Sequence, residues 1–580
     1  MAYRAPVADI LFALDAAGFA AAREDGVYGD LDAETVAAVI GQAGAFAAEV
    51  LEPLAKAGDR QGARFADGKV TTPPGWADAY RRWREAGWNG TLASEDHGGQ
   101  GLPLSVWAAL TELWHEGSIA FGLGPMLTQG ALEALEAHAS EELKATYLAK
   151  LVSGEWMATM NLTEPQAGSD LALLRSRAER ADDGTYRLFG QKIYITYGEH
   201  DWAENIVHLV LARLPDAPAG TRGISLFLVP KILPSGERND VACVGIEEKL
   251  GIHASPTCTM AYGDAGGAVG WLVGEEHRGL ACMFTMMNNA RLGVGLQGVA
   301  AAEGATQGAQ AFAQERRQGR AEGHDGAAPI AAHPDVRRML LTMRALTAAA
   351  RAICFRAAVE LDRGRLNDDA AAERRGSLLI PIAKAFGTDV GCEVASLGIQ
   401  VHGGMGYVEE TGAARYLRDA RITPIYEGTN GIQAIDLVAR KLPLGGGETV
   451  RSVILSLRDT VRRVAEANDP GFGATAARLA EAVDALEHAT LWLTGAARTQ
   501  AETLAGATPY LRLFALAAGG AGLAEEALAG LRAEDRATGR VALARFFAEN
   551  LAVAASGLAR TVTEGAGALE GEAVDAALGA

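Results

Sequence analysis

The chain has 580 residues, of which 49% are hydrophobic and 22% charged, and a formal net charge of −19. This length predicts two to four domains, and the composition excludes a disordered chain. The acidic balance excludes nucleic acid as the main partner, since phosphate backbones need a basic face, and requires local arginines to hold any anionic substrate.

In chain order, residues 1–155 read as a helical domain. Apolar residues recur there at three- and four-residue spacing over 33–55 and 75–86. Loops punctuate them at Thr71-Thr72-Pro73-Pro74 and Glu95-Asp96-His97-Gly98-Gly99. Residues 156–275 carry short β-prone runs (156–162, 186–189, 193–196, 206–211, 224–229 and 257–262) between Gly-, Pro- and Asp-rich turns. That pattern predicts a small sandwich or barrel of about six to eight strands. Helical periodicity returns over 276–445 and stops at Leu442-Pro443-Leu444-Gly445-Gly446-Gly447. Residues 446–580 form an additional alanine-rich helical module, interrupted at Asn468-Asp469-Pro470-Gly471 and near Pro509. The expected class is α+β and mostly α.

Five widely spaced cysteines without a C-x-x-C pair imply buried thiols in a reducing compartment, with neither a disulfide framework nor a metal site. No uninterrupted apolar run of about 18 residues is present, so no membrane span is expected. The N-terminus lacks the charged-then-apolar layout of a secretory signal, and a cytoplasmic location follows as the expectation.

Gly293-Val294-Gly295-Leu296-Gln297-Gly298 matches the dinucleotide-binding pattern. The match is rejected, because no strand precedes it and no βαβ unit surrounds it. These glycines continue a helical pattern and suit close helix–helix packing.

The most informative segment is Arg421-Ile422-Thr423-Pro424-Ile425-Tyr426-Glu427-Gly428-Thr429-Asn430-Gly431. It sets one carboxylate, Glu427, in a short turn before an apolar, helix-compatible run. Gly428 lets a ligand approach the backbone closely. Nearby N–H groups are placed to donate to a substrate oxygen, so a base and an oxyanion donor fall within one turn. Taken alone, Glu427 also suits the ordinary role of an acidic residue complementing a helix start. In the β region, Thr163 and Ser169 bring hydroxyls to a turn at a strand end, suited to a heterocycle edge or a phosphate. Tyr194 and Thr196 lie two apart, hence on one face of a strand, with a core tyrosine as the plain alternative.

Together these segments resemble the acyl-CoA dehydrogenase family over roughly residues 40 to 440, through 163–170, 190–196, 249–251, 312–316, 400–406 and 421–433. The length, the N-terminal extension and the C-terminal module look like the long bacterial branch that includes methylmercaptopropionyl-CoA dehydrogenase. The resemblance implies an acyl-CoA dehydrogenase-like fold: an N-terminal α-helical domain (1–155), a middle β domain (156–275) and a C-terminal α-helical bundle carrying the catalytic base (276–445), here followed by the additional helical module (446–580). It implies FAD between the middle and C-terminal domains. By motif match, Met160, Leu162, Thr163, Ser169, Tyr194 and Thr196 would contact the cofactor from the β domain. Arg316 would reach the FAD of a neighbouring subunit, Gln400, Gly403 and Gly404 would form the loop on the adenosine side of FAD, and Thr429 would touch the same cofactor. Glu427 would remove the α-proton of an acyl-CoA, with Ser169, Asn288, Arg291 and Gly428 on the substrate side. Tyr194 stands where many members carry tryptophan, Asn288 where others have aspartate, and Gly431 where some have glutamine. The implied partners are an acyl-CoA substrate, an electron-transfer flavoprotein and a second copy of the chain in a homodimer. An acyl-CoA oxidase using O₂ is the alternative enzyme. A DNA-associated alkylation-response flavoprotein is disfavoured, because the tail after 451 carries more acidic than basic residues and no lysine.

Overall fold

The computed structural model describes residues 3–496, 498–533 and 537–579. It divides into two compact units. One contains Met1–Gly44, Leu104–Glu116 and Arg291–Ala580, and the other contains Ala45–Pro103 and Gly117–Ala290. The units cut across residues 1–155, because the helix Leu104–His138 passes from one to the other beside Ser118, whose φ of −164° is not helical.

The first unit is all helical. Its centre is the antiparallel pair Pro334–Leu366 and Ala370–His402, joined by a tight turn in which the Asp369 carboxylate caps the second helix by accepting from the Ala371 and Ala372 N–H groups. The helix Gly279–Glu315 enters this unit at Arg291, and the glycines that mimic a dinucleotide motif lie on it. A Cβ on Gly295 would stand 2.7 Å from the Ala383 carbonyl oxygen, and one on Gly298 only 2.1 Å from that of Gly387. Two backbones therefore meet there without side chains between them, as the small-residue reading requires. Gly298→Ala is expected to cost about 2 kcal/mol or more through overpacking, measurable as a lowered unfolding midpoint.

The module after Leu442 belongs to the same unit. Gly445, Gly446 and Gly447 all take positive φ at the expected break, and the helices Glu448–Ala467, Thr475–Leu493 and Ala507–Ala533 follow. The interruption expected near Pro509 falls at Gly506, between the helices Gln500–Ala505 and Ala507–Ala533, and Pro509 itself lies in the first turn of the second, where a missing N–H costs no hydrogen bond. Ala507–Ala533 packs against Pro334–Leu366 so closely that a Cβ on Gly519 or Gly522 would stand 2.9 or 2.7 Å from the Cβ of Ala349 or Ala352. The constant offset between these partners makes the two helices parallel.

In the second unit, eight strands form one sheet. Ala268–Val273, Ile224–Pro230, Asn205–Arg213, Arg177–Arg180 and Tyr186–Thr196 follow one another by pairing. The ring closes because Ala268–Gly270 also pairs with Tyr186–Leu188. Thr257–Tyr262 and Val241–Ile246 extend it from Tyr186–Thr196, and Trp156–Asn161 joins parallel to Asn205–Arg213. Arg177–Arg180, Val241–Ile246 and Ala268–Val273 were not anticipated from sequence: one is charged and the others carry a glycine, so each lacks clean alternation. A small hairpin, Arg64–Ala66 with Lys69–Thr71, turns on Asp67-Gly68 inside the stretch expected to be helical.

Among the described residues, three helices, Ala33–Gln61, Ala507–Arg532 and Thr538–Glu564, are long and apolar enough to cross a membrane by length and composition. Alanines among scattered charges supply that hydropathy, which is why a search for uninterrupted apolar runs passes over them. In Ala507–Arg532, 78% of the apolar window is buried within the fold.

Candidate active site

Glu427 occupies the turn between the helices Ala413–Ala420 and Asn430–Asp436, in the helical unit. Its φ is +54°, in the left-handed region that costs a non-glycine residue about 1 kcal/mol or more. Surrounding contacts hold it there. Lys384 Nζ, fully buried on the helix Ala370–His402, donates to the Gly428 carbonyl and to Asn430 Oδ1, both at 2.9 Å. Gln433 Nε2 donates to the carbonyls of Glu427 and Gly428, both at 3.1 Å. Thr429 Oγ1 caps the following helix by accepting from the Ile432 N–H. The turn's carbonyls are thus tied inward, while the N–H groups of Glu427, Gly428 and Thr429 donate to nothing among the described residues. Free donors beside a carboxylate form a place where negative charge can develop on a ligand oxygen.

The Glu427 carboxylate is half-buried and makes no hydrogen bond or ion pair among the described residues. Burial pushes its pKa up, and the charges of Arg291 and Lys384 oppose that rise. Arg291, 4% exposed, pairs with Asp436 at 3.2 Å and has a buried Nε with no partner. Burial lowers Lys384 to about 7, against the pull of Glu427 and Asp389. Removing the lysine charge makes the carboxylate harder to ionise. Lys384→Met is therefore expected to move the acidic limb of the pH–rate profile to higher pH and to lower activity near pH 6, read from kcat/KM against pH.

Behind the turn runs a polar chain that the sequence did not reveal. The Thr111 carbonyl accepts from His115 Nδ1 at 2.8 Å, and Gln297 Nε2 lies 3.0 Å from His115 Nε2. Burial pushes His115 down to about 4, so its ring is neutral. With Nδ1 as donor, Nε2 accepts from Gln297, and Gln297 Oε1 is left to accept from the Tyr426 hydroxyl, as observed. The residue before Glu427 is thereby fixed to two other helices. The available sequence signal for Gln297 was its isolation among small and apolar residues of its helix, whereas His115 shares its face with Thr111 and Glu112 and Lys384 with Thr388, which gave no such signal.

In the β unit, Met160 is a core side chain in register with Leu209. Leu162 and Thr163 follow the strand end, where the Leu162 carbonyl accepts from Lys192 Nζ and the Thr163 carbonyl from the Ile193 N–H. Buried Glu164 anchors this turn by accepting from Lys192 Nζ at 2.8 Å and from the Arg175 and Ser176 N–H groups. Although burial works against it, Lys192 and these donors hold the Glu164 carboxyl at about 2. A β-bulge between Lys192 and Ile195 gives Tyr194 a φ of +60° and turns its ring outward, 60% exposed. Thr163, Ser169 and Thr196 make no side-chain hydrogen bond among the described residues. An exposed aromatic face on a strained bulge, with uncommitted hydroxyls in the same unit, fits the ring and polar edge of a planar heterocycle. Asn288 is half-buried on the helix Gly279–Glu315, within this unit.

The helical unit also carries Arg316, Gln400, Gly403 and Gly404, all exposed. A Cβ on Gly403 or Gly404 would meet nothing within 4 Å, so the backbone there is open to approach. Beside it Met405, Tyr407 and Val408 are exposed, Tyr407 by 85%.

Four family models match the chain in sequence: acyl-CoA dehydrogenase, N-terminal domain at residues 33–155; acyl-CoA dehydrogenase, middle domain at 159–265; acyl-CoA dehydrogenase, C-terminal domain at 277–442; and acetyl-CoA dehydrogenase C-terminal like at 456–570. The 3-methylmercaptopropionyl-CoA dehydrogenase of Ruegeria pomeroyi is 46% identical over 548 residues, 91% of each chain. An acyl-CoA dehydrogenase from Bacillus anthracis, solved complexed with FAD, shares the fold at TM-score 0.75 and 21% identity, over 95% of this chain and 91% of that one. ACDH-11 of Caenorhabditis elegans, solved with C11-CoA, does so at TM-score 0.78 and 20% identity, over 95% and 92%.

Proposed function

This chain belongs to the acyl-CoA dehydrogenase family, and on that premise we propose that it oxidises an acyl-CoA thioester to the trans-2-enoyl-CoA with Glu427 as the base. It is an enzyme of that class and uses FAD. The observation that carries the reading is the Glu427 turn: an unpaired carboxylate of raised pKa beside three N–H groups that donate to nothing.

Glu427 takes the α-proton, which is acidified by the adjacent thioester carbonyl. A free N–H of the turn donates to the carbonyl oxygen as charge builds on it, and the Glu427 N–H is the one assigned. Lys384 and Gln433 keep these donors aimed outward by holding the carbonyls of the same turn. When bound, FAD supplies the acceptor for the hydride leaving the β-carbon. Tyr194, Thr163 and Thr196 are assigned to its ring, and Arg316, Gln400, Gly403 and Gly404 to the remainder, reached by a second copy of the chain. The exposed Met405, Tyr407 and Val408 support such a homodimer, because apolar side chains of that size are normally covered. An electron-transfer flavoprotein is the assigned electron acceptor, and the cytoplasm the assigned location.

The test is an anaerobic titration of the flavin-loaded protein with acyl-CoAs of graded length. 3-Methylmercaptopropionyl-CoA is the first choice, given the relative at 46% identity. Bleaching of the flavin band by one class of thioester is expected, without O₂ uptake when air is admitted. A flavin that no thioester bleaches would refute the reading, and rapid O₂ uptake would make the enzyme an oxidase.

A further inference from the structure

Away from Glu427, the helical unit contains a cavity of about 350 Å³, at the lower end of the range for small-molecule sites. Five helices wall it: Val7–Ala16, Pro334–Leu366, Ala370–His402, Glu448–Ala467 and Ala507–Ala533. Much of its lining is small and apolar, including Ala13, Ala17, Ala352, Ala521 and Gly522, and it opens to solvent past the exposed Ser452 and Ser456. The parallel approach of Ala507–Ala533 to Pro334–Leu366 on Gly519 and Gly522 fixes one wall, so the cavity depends on the C-terminal module.

One cation on the wall has no partner of its own among the described residues. Three carboxylates line the cavity, and each is paired: Glu360 with Arg375 at 2.8 Å, Glu526 with Arg540 at 2.7 Å, an arginine that Asp9 shares at 3.2 Å, and Glu525 with Arg463, which Asp459 shares at 3.2 Å. Arg356, half-buried on the same wall, has no hydrogen bond or ion pair among the described residues. Its Nη1 would stand 3.5 Å from a Cβ built on Gly18, which places the guanidinium at the end of the first helix. Glu526, 5% exposed, also has one carboxyl oxygen without a partner. A narrow apolar space with one unpaired guanidinium suits a monoanion with an aliphatic body. Phosphate or CoA brings several charges against a single cation, and a neutral lipid leaves the arginine unanswered.

We infer that this cavity is a second ligand site, distinct from the Glu427 turn, which binds an unbranched aliphatic monocarboxylate with its carboxylate on Arg356. The inference does not depend on the assignment of Glu427.

Calorimetric titration of the flavin-loaded, full-length protein with octanoate tests it. One saturable site per chain is expected, with no change in the flavin spectrum. Arg356→Gln should weaken binding about tenfold or more while leaving turnover intact, and 1-octanol, which lacks the charge, should bind as poorly as octanoate does to that variant. Ser456→Trp at the mouth should block the site independently of the arginine. Absence of saturable binding to the native protein, equal affinity in Arg356→Gln, or a flavin spectrum that responds to octanoate would each overturn the proposal. None of these outcomes depends on whether any acyl-CoA is turned over, so failure here and failure of the proposed dehydrogenation are separable.

Discussion

Glu427→Gln will reduce turnover by roughly 10²–10⁴-fold or more, while FAD and acyl-CoA remain bound. The amide is nearly isosteric with the carboxylate and cannot take a proton at neutral pH. The backbone of the turn is held by Lys384, Gln433 and Asn430, and none of them uses the Glu427 side chain, so the turn should survive the change. Stopped-flow reduction of the flavin by substrate checks the rate, and the perturbation of the flavin band by a product-like enoyl-CoA checks binding. Loss of both together would point to a structural role instead. In the native enzyme, kcat/KM should fall as pH drops through a value above the ordinary carboxylate pKa. The base acts only when ionised, and burial raises the pH at which it ionises.

The second large effect concerns stability. Arg351, buried in the centre of the helical unit, donates from Nε to Glu112 Oε1 at 2.7 Å and from Nη2 to Glu303 Oε2 at 3.0 Å, with Glu116 Oε1 at 3.9 Å. One guanidinium thus serves three buried carboxyls. Burial pushes Glu116 well above its ordinary range, with Glu112 and Glu303 adding to the rise, and its other oxygen accepts from the Tyr3 hydroxyl. Burial works to raise Glu303, but Arg351, Gln307 and Arg344 together hold it below its ordinary value. Arg351→Met removes the only cation among the described residues that this group directly shares and should cost about 3–5 kcal/mol of folding stability. The sign with pH follows from the carboxyls left behind. Without the arginine, their folded-state pKa values rise above the unfolded ones, so the folded variant binds more protons than the unfolded chain. Its deficit relative to the native protein should shrink as pH falls toward 5 and grow as pH rises. Denaturation midpoints across that range measure this. The triple variant Arg351→Met, Glu112→Gln, Glu303→Gln should recover much of the loss at pH 7.

The Glu427 turn was legible because the carboxylate proposed as the base, the permissive glycine and the helix cap lie within three consecutive residues, so local spacing carries the information. Its supports were not. Lys384 lies 43 positions before Glu427, and Gln297 and His115 lie earlier still. A polar residue on a helix face does not state which turn it will meet. Tyr194 shows the same limit on a smaller scale. Alternation along the strand left its ring either in the core or outward, and the bulge after Lys192 turned it outward. Bulges arise from pairing with a partner strand and have no reliable local signature.

From sequence alone follow the family, the α–β–α order of textures, the rejection of the glycine-rich decoy, and the identity of the carboxylate in the turn. The family rests on resemblance of several short motifs to a known pattern, and the others on periodicity or on residues a few positions apart, where chain geometry restricts what they can do. Tertiary structure alone decided which buried cations face that carboxylate, how three glutamates share Arg351, and that the C-terminal helices enclose a cavity with an unpaired arginine. Those arrangements depend on helices distant in sequence meeting at particular depths. Burial and charge at such meetings are properties of the packed core, which no single segment encodes.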